Sequence, residues 1–472
     1  MNSDVAGVKS LFISPNKMNA FVKQEIQGIA EERDFVSKVK EYIRGDYHQG
    51  LLITGIRSTG KTVGVLQAIP SDVSAFYFSP VYRGVNLDLD ALCDMFSSAK
   101  ADVWVLDEYS WINDPDLKLA NYLAGQAKLG KKIIITGTDS AKIHSLVNSE
   151  FVHRAIELHT TVFTYDEFKR LYHLPNNQET MKRYLSVGGI FETSVHENFG
   201  SLQDFIKNAV LDNLSSYYTG FDPVMIKACV YTIFYDCVCN LFGREGSEVP
   251  VYGYDTEILS LNEYLERIGI DPAITIDNSV LSEIAHKLSE IDIVFTINDY
   301  KRRDNYRSYI TNPCLSYQLT KAVFNQEDLS TGYLGRLYEA AVVCSTYVKY
   351  VKSPANGFYE THFLFGRKNR ENYEIDLILC DPSYAYIIET KMSHNDDFTL
   401  SDNASIVKDI IPSILGDLEI GGRYVIYQGK EKAGMVNGKN IIYTNNWGID
   451  FKKTEEHLER LKSLPENDDG IK

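Results

Sequence analysis

The sequence predicts an α/β protein of several domains: a parallel-sheet domain, a helical, winged-helix-like middle segment, and a second α/β domain. Three observations carry that expectation. Short apolar runs alternate with helix-length stretches between residues 50 and 160, the pattern of βαβ units. Near residue 200 the alternation gives way to a mainly helical texture, and from Gly332 strand-length apolar runs return. A chain of 472 residues, 44% hydrophobic and 24% charged, accommodates roughly three domains, each large enough to bury a core.

Residues 1–48 read as a helical segment, with Glu31-Glu32 near the start of a stretch running to Arg44. In the domain at 49–200, strands are expected at Leu51-Leu52-Ile53, Ala75–Phe78, Val103–Leu106, Ile133–Ile135 and Ala155–Leu158. Helices at Lys61–Ile69, Asp90–Lys100, Asp116–Leu129 and Ser140–Ser149 separate them. Near-continuous apolar strands imply a parallel sheet covered on both faces. Residues 201–330 carry amphipathic stretches such as Leu281–Leu288, then a hairpin of Ile291–Ile297 and Tyr306–Thr311 around the polar turn Asn298–Asn305. Helices followed by a two-stranded wing fit a winged-helix module. Residues 331–447 open with a helix at Leu334–Tyr350 and continue with strands at Tyr359–Phe365, Tyr373–Leu379, Tyr384–Glu389 and Tyr424–Tyr427. The charged tail, 448–472, reads as a peripheral helix with a frayed end.

With 48 Lys and Arg against 64 Asp and Glu, the net charge of −16 excludes a generally polycationic nucleic-acid binder but leaves room for local basic patches. Seven scattered cysteines form no CxxC pair, so neither a structural zinc site nor a disulfide framework is indicated. Buried thiols in a reducing compartment, and hence a soluble cytoplasmic protein, are expected. The most apolar stretch, Val224–Phe242, contains Lys227 and Asp236 and reads as a buried helix, not a membrane span.

Gly55-Ile56-Arg57-Ser58-Thr59-Gly60-Lys61-Thr62 satisfies G-x-x-x-x-G-K-[ST] between an expected strand and an expected helix. Such a loop lets the backbone wrap a phosphate without Cβ clashes, while its N–H groups and the helix N-terminus supply positive potential. Lys61 would reach the β- and γ-phosphates of ATP, and the Thr62 hydroxyl would ligate Mg²⁺. Some 45 residues further on, the apolar strand Val103–Leu106 ends in Asp107 and Glu108, the position of a Walker B pair. Asp107 would hold the Mg²⁺ hydration shell and Glu108 would polarise the attacking water. The next strand ends at Thr136-Gly137-Thr138, where a polar residue could sense the γ-phosphate; helix capping by Thr138 or Ser140 is the equal alternative.

These runs, with Ile134–Gly137, Arg154 and Phe163-Thr164-Tyr165-Asp166-Glu167-Phe168, resemble a prokaryotic family of AAA-type P-loop ATPases. Family members carry a proline-containing LSF-x-EF segment; His159–Phe163 lacks the proline. Tyr184-Leu185-Ser186-Val187-Gly188-Gly189-Ile190 resembles the family's YL-x-x-GGF signature. By that match Arg154 is a candidate sensor or arginine finger; the alternative is an ordinary salt-bridged arginine.

Members of the family commonly carry a C-terminal domain resembling PD-(D/E)xK nucleases. Here Gly335–Glu339 opens a helix, Glu374–Leu379 puts Asp376 on a strand, and Tyr386–Lys391 ends the next strand with E-x-K. Strand period two puts Glu389 and Lys391 on one side. Asp376 and Glu389 could share a second divalent ion, with Lys391 orienting or deprotonating a water and Glu339 contributing from the helix. The triplet alone carries little weight, since Asp116-Leu117-Lys118 also matches it; its context does the selecting.

Two turns rich in Lys and Arg, residues 301–307 and 366–370, are candidate contacts to DNA phosphates. The expected partners are therefore ATP and DNA, with a homo-oligomer allowed and no membrane. The leading expectation is a Mg²⁺-dependent ATPase controlling DNA binding or cleavage. Against it stand a non-nucleolytic ATP-driven switch with a degenerate C-terminal binding module, and a P-loop metabolic kinase in which Arg154 and the GG segment have no role.

Overall fold

The computed structural model describes residues 2–5, 8–27, 29, 31–80, 87–190, 204, 206–218, 220–242, 258–351, 360–368 and 371–463. The N-terminal part runs β1 (Asn2–Val5), β2 (Val8–Ile13), α1 (Pro15–Glu25), α2 (Phe35–Arg44), β3 (Gly50–Gly55), α3 (Lys61–Ala68), β4 (Ala75–Pro80) and α4 (Leu89–Ser98). It continues with β5 (Val103–Leu106), α5 (Lys118–Lys128), β6 (Lys132–Gly137), α6 (Ser140–Asn148), β7 (Ala155–Thr160), α7 (Tyr165–Leu171) and α8 (Gln178–Val187). Its sheet has the order β1-β2-β4-β5-β6-β3-β7. All five expected strands are present, paired parallel.

Alternate strand residues feed opposite faces. Leu52, Phe76, Trp104, Ile133 and Ile135 pack with α4 to α6, whereas Leu51, Ile53, Tyr77, Val105 and Ile134 pack with α1 to α3. Burial on both sides explains why these strands read as unbroken apolar runs. The N-terminal segment departs from its helical expectation. Residues 8–13 form β2, which pairs antiparallel with β4; the run Leu11-Phe12-Ile13 extends the sheet instead of lying on a helix.

The second part contains a π-helical turn (Ile206–Leu211), α9 (Asp212–Tyr217), α10 (Pro223–Phe242), α11 (Leu261–Arg267), α12 (Asn278–Glu290), β8 (Val294–Asp299) and β9 (Tyr306–Ile310). Then come α13 (Pro313–Val323), α14 (Thr331–Tyr350), β10 (Glu360–Lys368), β11 (Glu371–Cys380), β12 (Tyr384–Thr390), α15 (Ile410–Leu415), β13 (Glu419–Ile426), β14 (Lys432–Val436), β15 (Lys439–Thr444) and α16 (Thr454–Ser463). Eight strands form one sheet in the order β14-β15-β13-β12-β11-β10-β8-β9. The hairpin expected as a wing is part of that sheet: β8 pairs parallel with β10 through His362↔Asn298 and Phe363↔Asp299. A boundary at 330/331 therefore cuts through a single sheet, because backbone pairing to β10 completes a hairpin that two strands alone would leave marginal. The long apolar helix α10 has 67% of its most apolar window buried and packs in the core with α12 and β8–β9.

The two parts of the chain meet through an aromatic contact. Trp447 stacks on Tyr165 and meets Tyr184 of the first part and Tyr338 of the second edge to face, with centroids 5.9, 5.8 and 5.5 Å away. Asn176 Nδ2 donates to Gln428 O at 2.9 Å, and Gln428 Nε2 donates to the Tyr338 hydroxyl at 3.0 Å.

Candidate active sites

At the C-terminal ends of the parallel strands, β3 turns into residues 55–60 and then α3. Gly55 has φ +140°, and a Cβ there would lie 2.2 Å from Thr160 O, so only glycine lets the chain turn past β7. Lys61 is 4% exposed and donates to Gly55 O at 2.9 Å and Ile56 O at 2.8 Å. Burial pushes its amine below the ordinary lysine value, opposed by the nearby Glu108 and Asp107. Thr59 donates to Ile56 O at 2.8 Å, and Arg57 stands 5.5 Å over the Trp111 ring.

Strand β6 lies between β3 and β5, which brings Thr136 between the loop and the Walker B acids. Asp107 accepts hydrogen bonds from Thr62 Oγ1 at 2.8 Å, the Tyr77 hydroxyl at 2.6 Å and Thr136 Oγ1 at 2.5 Å. Thr62 and Asp107 are thus adjacent oxygen donors of the kind a hard divalent ion takes. Glu108 adopts φ +57°, an uncommon backbone state for a non-glycine residue and one that clusters at functional sites. Its Oε2 accepts from Thr138 N at 3.2 Å and Thr138 Oγ1 at 3.1 Å; burial raises its carboxyl pKa, and Lys61 acts against the rise. Thr138 therefore holds Glu108, and the cap of α6 is Asp139, accepting from Lys142 N at 3.1 Å. The Ser140 side chain lies outside the described residues.

Arg154 is not part of this constellation within its own chain. Its carbonyl accepts from Gly50 N at 2.7 Å, and Gly50 faces Ala155 whereas Gly55 faces Thr160. Five strand residues, roughly 17 Å, separate it from the phosphate loop. A role as sensor in its own site is excluded by that distance.

Two motif residues have clear structural tasks. Glu167 caps α7 in a capping box with Thr164 and bonds the buried Arg33. Gly189, at φ +96°, packs where a Cβ would sit 2.8 Å from Pro313 Cδ, and its carbonyl accepts from Phe163 N at 2.8 Å. Nothing in the sequence pattern singled out Arg33; the charged run 31–34 was the available signal.

The second cluster lies in a cleft of about 960 Å³ lined by α14, β11, β12 and residues 398–405. Asp376 Oδ2 accepts from Thr390 N at 2.7 Å and Thr390 Oγ1 at 2.9 Å. The register Leu377↔Ile388 sets Asp376 and Glu389 at facing positions on adjacent strands. Lys391 Nζ bonds Glu389 Oε1 at 2.6 Å, while Glu389 Oε2 is buried without a partner. Burial, with Asp376 beside it, pushes the Glu389 carboxyl up to about 8, the Lys391 charge acting against the rise. A buried, unpaired carboxylate oxygen beside a second carboxylate is a donor pair that a divalent cation could take. Among the described residues no group of three or more His, Cys, Asp or Glu is gathered around one point for a metal.

Glu339 differs from its expected role. It is held by Arg307 Nη1 at 3.1 Å and by Arg336, and Glu374 Oε1 accepts from Arg307 Nη2 at 2.9 Å. Arg307, expected in an exposed basic turn, is 1% exposed because β9 carries it under β10, over the Phe363 ring at 4.5 Å. The rest of that turn remains at the surface: Lys301 and Arg303 are exposed, and Arg302 Nη2 donates to Phe365 O at 3.1 Å. That bond sets the first basic turn beside the described end of β10, which carries Arg367. They flank a groove of about 580 Å³ whose lining includes Arg302, Arg367, Glu374 and Ser405, the last two shared with the carboxylate cleft. Residues 369 and 370 lie outside the described residues, as do 464–472 of the tail.

A polar bridge joins the two sheets beside the phosphate loop. Thr54 Oγ1 and His159 Nδ1 are 2.7 Å apart, and His159 Nε2 lies 3.2 Å from Asp292 Oδ2. Asp292 lies two residues ahead of β8, in the strand pair whose β9 carries Arg307.

Residues 47–169 match the sequence model of the AAA domain family. Among solved structures the chain is similar to an Hsp104–ADP complex of S. cerevisiae, at 16% identity and TM-score 0.28 over 39% of each chain. It is similar also to the Orc1 protein of Aeropyrum pernix in complex with DNA (13%, TM-score 0.26, 66% of this chain and 94% of that one). Cdc6p of Pyrobaculum aerophilum gives 13%, TM-score 0.25, and coverage of 66% and 98%. The chain spans 39% of that Hsp104 chain's length. No curated protein matches the sequence. Together with the loop geometry, the family match makes residues 47–169 an AAA-type P-loop nucleotide-binding domain.

Proposed function

We propose that the chain is a Mg²⁺-dependent ATPase whose nucleotide state controls a divalent-metal phosphodiesterase centre acting on DNA in the C-terminal cleft. The observation that carries the second half is the convergence of Asp376, Glu389 and Lys391 in a cleft that shares Glu374 and Ser405 with a groove lined by Arg302 and Arg367. Asp376 and Glu389 would hold the divalent ion, which supplies Lewis acidity toward a phosphodiester and lowers the pKa of a water. Lys391, already bonded to Glu389, would orient that water. Lys301, Arg303 and Arg367 would take the DNA backbone. At the first site Thr62 and Asp107 would hold Mg²⁺, Lys61 would bind the terminal phosphates, and Glu108 would orient and deprotonate water, a base whose proton affinity burial has raised.

Control between the sites is supported by the Thr54–His159–Asp292 bridge, which ties the residue before Gly55 to the turn ahead of β8. For Arg154, its place at the far end of β7 supports action on a neighbouring copy's nucleotide. A non-nucleolytic module is the second reading. Favouring it, Glu339 is already neutralised by two arginines, leaving two carboxylates facing the cleft's lysine.

The test compares wild type with Asp376→Asn for Mn²⁺ binding and for cutting of supercoiled and single-stranded DNA in Mg²⁺ or Mn²⁺. The proposal expects both to be lost in the variant while ATP turnover persists. Wild type that hydrolyses ATP and cuts no DNA form, with Mn²⁺ uptake unchanged by Asp376→Asn, supports the second reading instead.

A further inference from the structure

Arg33 lies ahead of the segment that matches the AAA family and is 8% exposed. Its guanidinium uses every N–H it has. Nη1 donates to Thr59 O at 2.6 Å and Thr161 O at 2.8 Å. Nη2 donates to Val162 O at 3.3 Å and Glu167 Oε2 at 2.6 Å, and Nε donates to Glu167 Oε1 at 3.0 Å. The group also lies 4.7 Å over the Phe163 ring. Glu167 is fixed in turn by Asp34 N at 3.0 Å and Thr164 N at 3.1 Å.

A backbone nest binds phosphate only when its N–H groups face inward and its carbonyls are turned away. The loop's carbonyls are held by three groups: Arg33 on Thr59 O, the Thr59 hydroxyl on Ile56 O, and Lys61 on Gly55 O and Ile56 O. When Lys61 turns to the terminal phosphates, Arg33 and Thr59 are the anchors that remain. Arg33 has no N–H left for a ligand, so any effect on nucleotide passes through the loop it holds.

We infer that Arg33, locked by Glu167, is the positioning residue that presets the phosphate loop for ATP by holding the Thr59 carbonyl outward. The clamp joins a residue ahead of the AAA match, the loop between Thr59 and Gly60, and the FTYDEF segment into one unit. Preset geometry serves ground state and transition state alike, so its loss appears in binding and spares the chemical step.

Arg33→Lys keeps the charge and loses the fork that grips Thr59 O and Glu167 together. In the full chain with Mg²⁺, it should raise KM for ATP about tenfold or more, the effect of losing a charge-assisted hydrogen bond, with kcat changed less than about threefold. Glu167→Gln should act in the same direction, more weakly. Methylguanidinium added to Arg33→Ala should restore much of the lost affinity for ATP. Because Arg33→Ala can fail to fold, the Lys and Gln variants decide the matter at a temperature well below their nucleotide-free Tm. A lower Tm with KM unchanged makes Arg33 a brace with no part in ATP binding and overturns the inference. A fall in kcat at unchanged KM overturns it equally.

Discussion

At the P-loop, each Walker B carboxylate is tied to hydroxyl or amide donors, and Asp107 alone accepts from three hydroxyls. In the C-terminal cleft, one Glu389 oxygen is buried with nothing to accept from, and Glu339 and Glu374 share two arginines. The first cluster is satisfied by neutral groups and can take a phosphate without losing an ion pair. The second holds its charges in check with its own cations, Arg307 and Arg336 on Glu339 and Glu374, and Lys391 on Glu389. One cluster is tied by hydroxyl and amide donors; the other leaves one buried carboxylate oxygen unpaired. That difference predicts that each cluster, when cut back, loses its own activity and spares the other.

The largest expected effect is on the preset site. Lys61→Ala should lower ATP turnover by about 100-fold or more, as expected for loss of a donor aimed at developing charge; a coupled-enzyme phosphate assay measures it. Asp376→Asn should lower DNA cutting by a similar factor of about 100 while ATP turnover stays within about twofold, since the two clusters are separate.

The arginine cluster gives the next effect. Arg336→Met leaves Glu339 and Glu374 with one arginine between them, and an uncompensated buried charge costs about 3–5 kcal/mol. Urea denaturation should register a loss of that order, against a much smaller one for Lys391→Met, whose side chain is 42% exposed.

The proposed coupling between the clusters rests on His159. His159→Gln should leave ATP turnover within about threefold yet remove any dependence of cleft activity on nucleotide, a coupling typically worth 1–3 kcal/mol. A variant that keeps nucleotide-dependent cutting breaks the proposed connection.

The smallest effect is acid sensitivity. Burial acts to raise the Glu167 carboxyl, but Arg33 and the backbone N–H groups of Asp34 and Thr164 outweigh it and hold it below its ordinary 4.5. An acid held low in the fold adds stability above its unfolded pKa and loses it as pH falls through the folded value. Tm should therefore drop more steeply below about pH 4.5 in wild type than in Glu167→Gln.

The phosphate loop and Walker B acids were legible because each is contiguous and its strand–turn–helix setting is local. The parallel strands were legible because burial on both faces leaves an unbroken apolar run. Arg33 was not, since its partner Glu167 lies 134 residues away and a run of charges ordinarily means a solvated turn. The same bias set Arg307 among surface contacts, when the pairing of β8 with β10 buries it beside Glu339. Strands β14 and β15 went unforeseen although Asn437-Gly438, at φ +49° and +70°, is a strong hairpin signal. The flanking residues are polar enough to mask the strands. A hairpin's sequence does not say which sheet it will join, and here the expected wing pairs with β10 instead of standing alone.

The central claim is that the satisfied anion site governs the unsatisfied carboxylate cleft. Its most direct test is Mn²⁺-dependent DNA cutting by wild type, Lys61→Ala and Asp376→Asn, each with and without ATP. Wild type should cut in a way that changes with ATP, Lys61→Ala should cut regardless of ATP, and Asp376→Asn should not cut. Cutting that is the same in all three proteins, or in none of them, would contradict it.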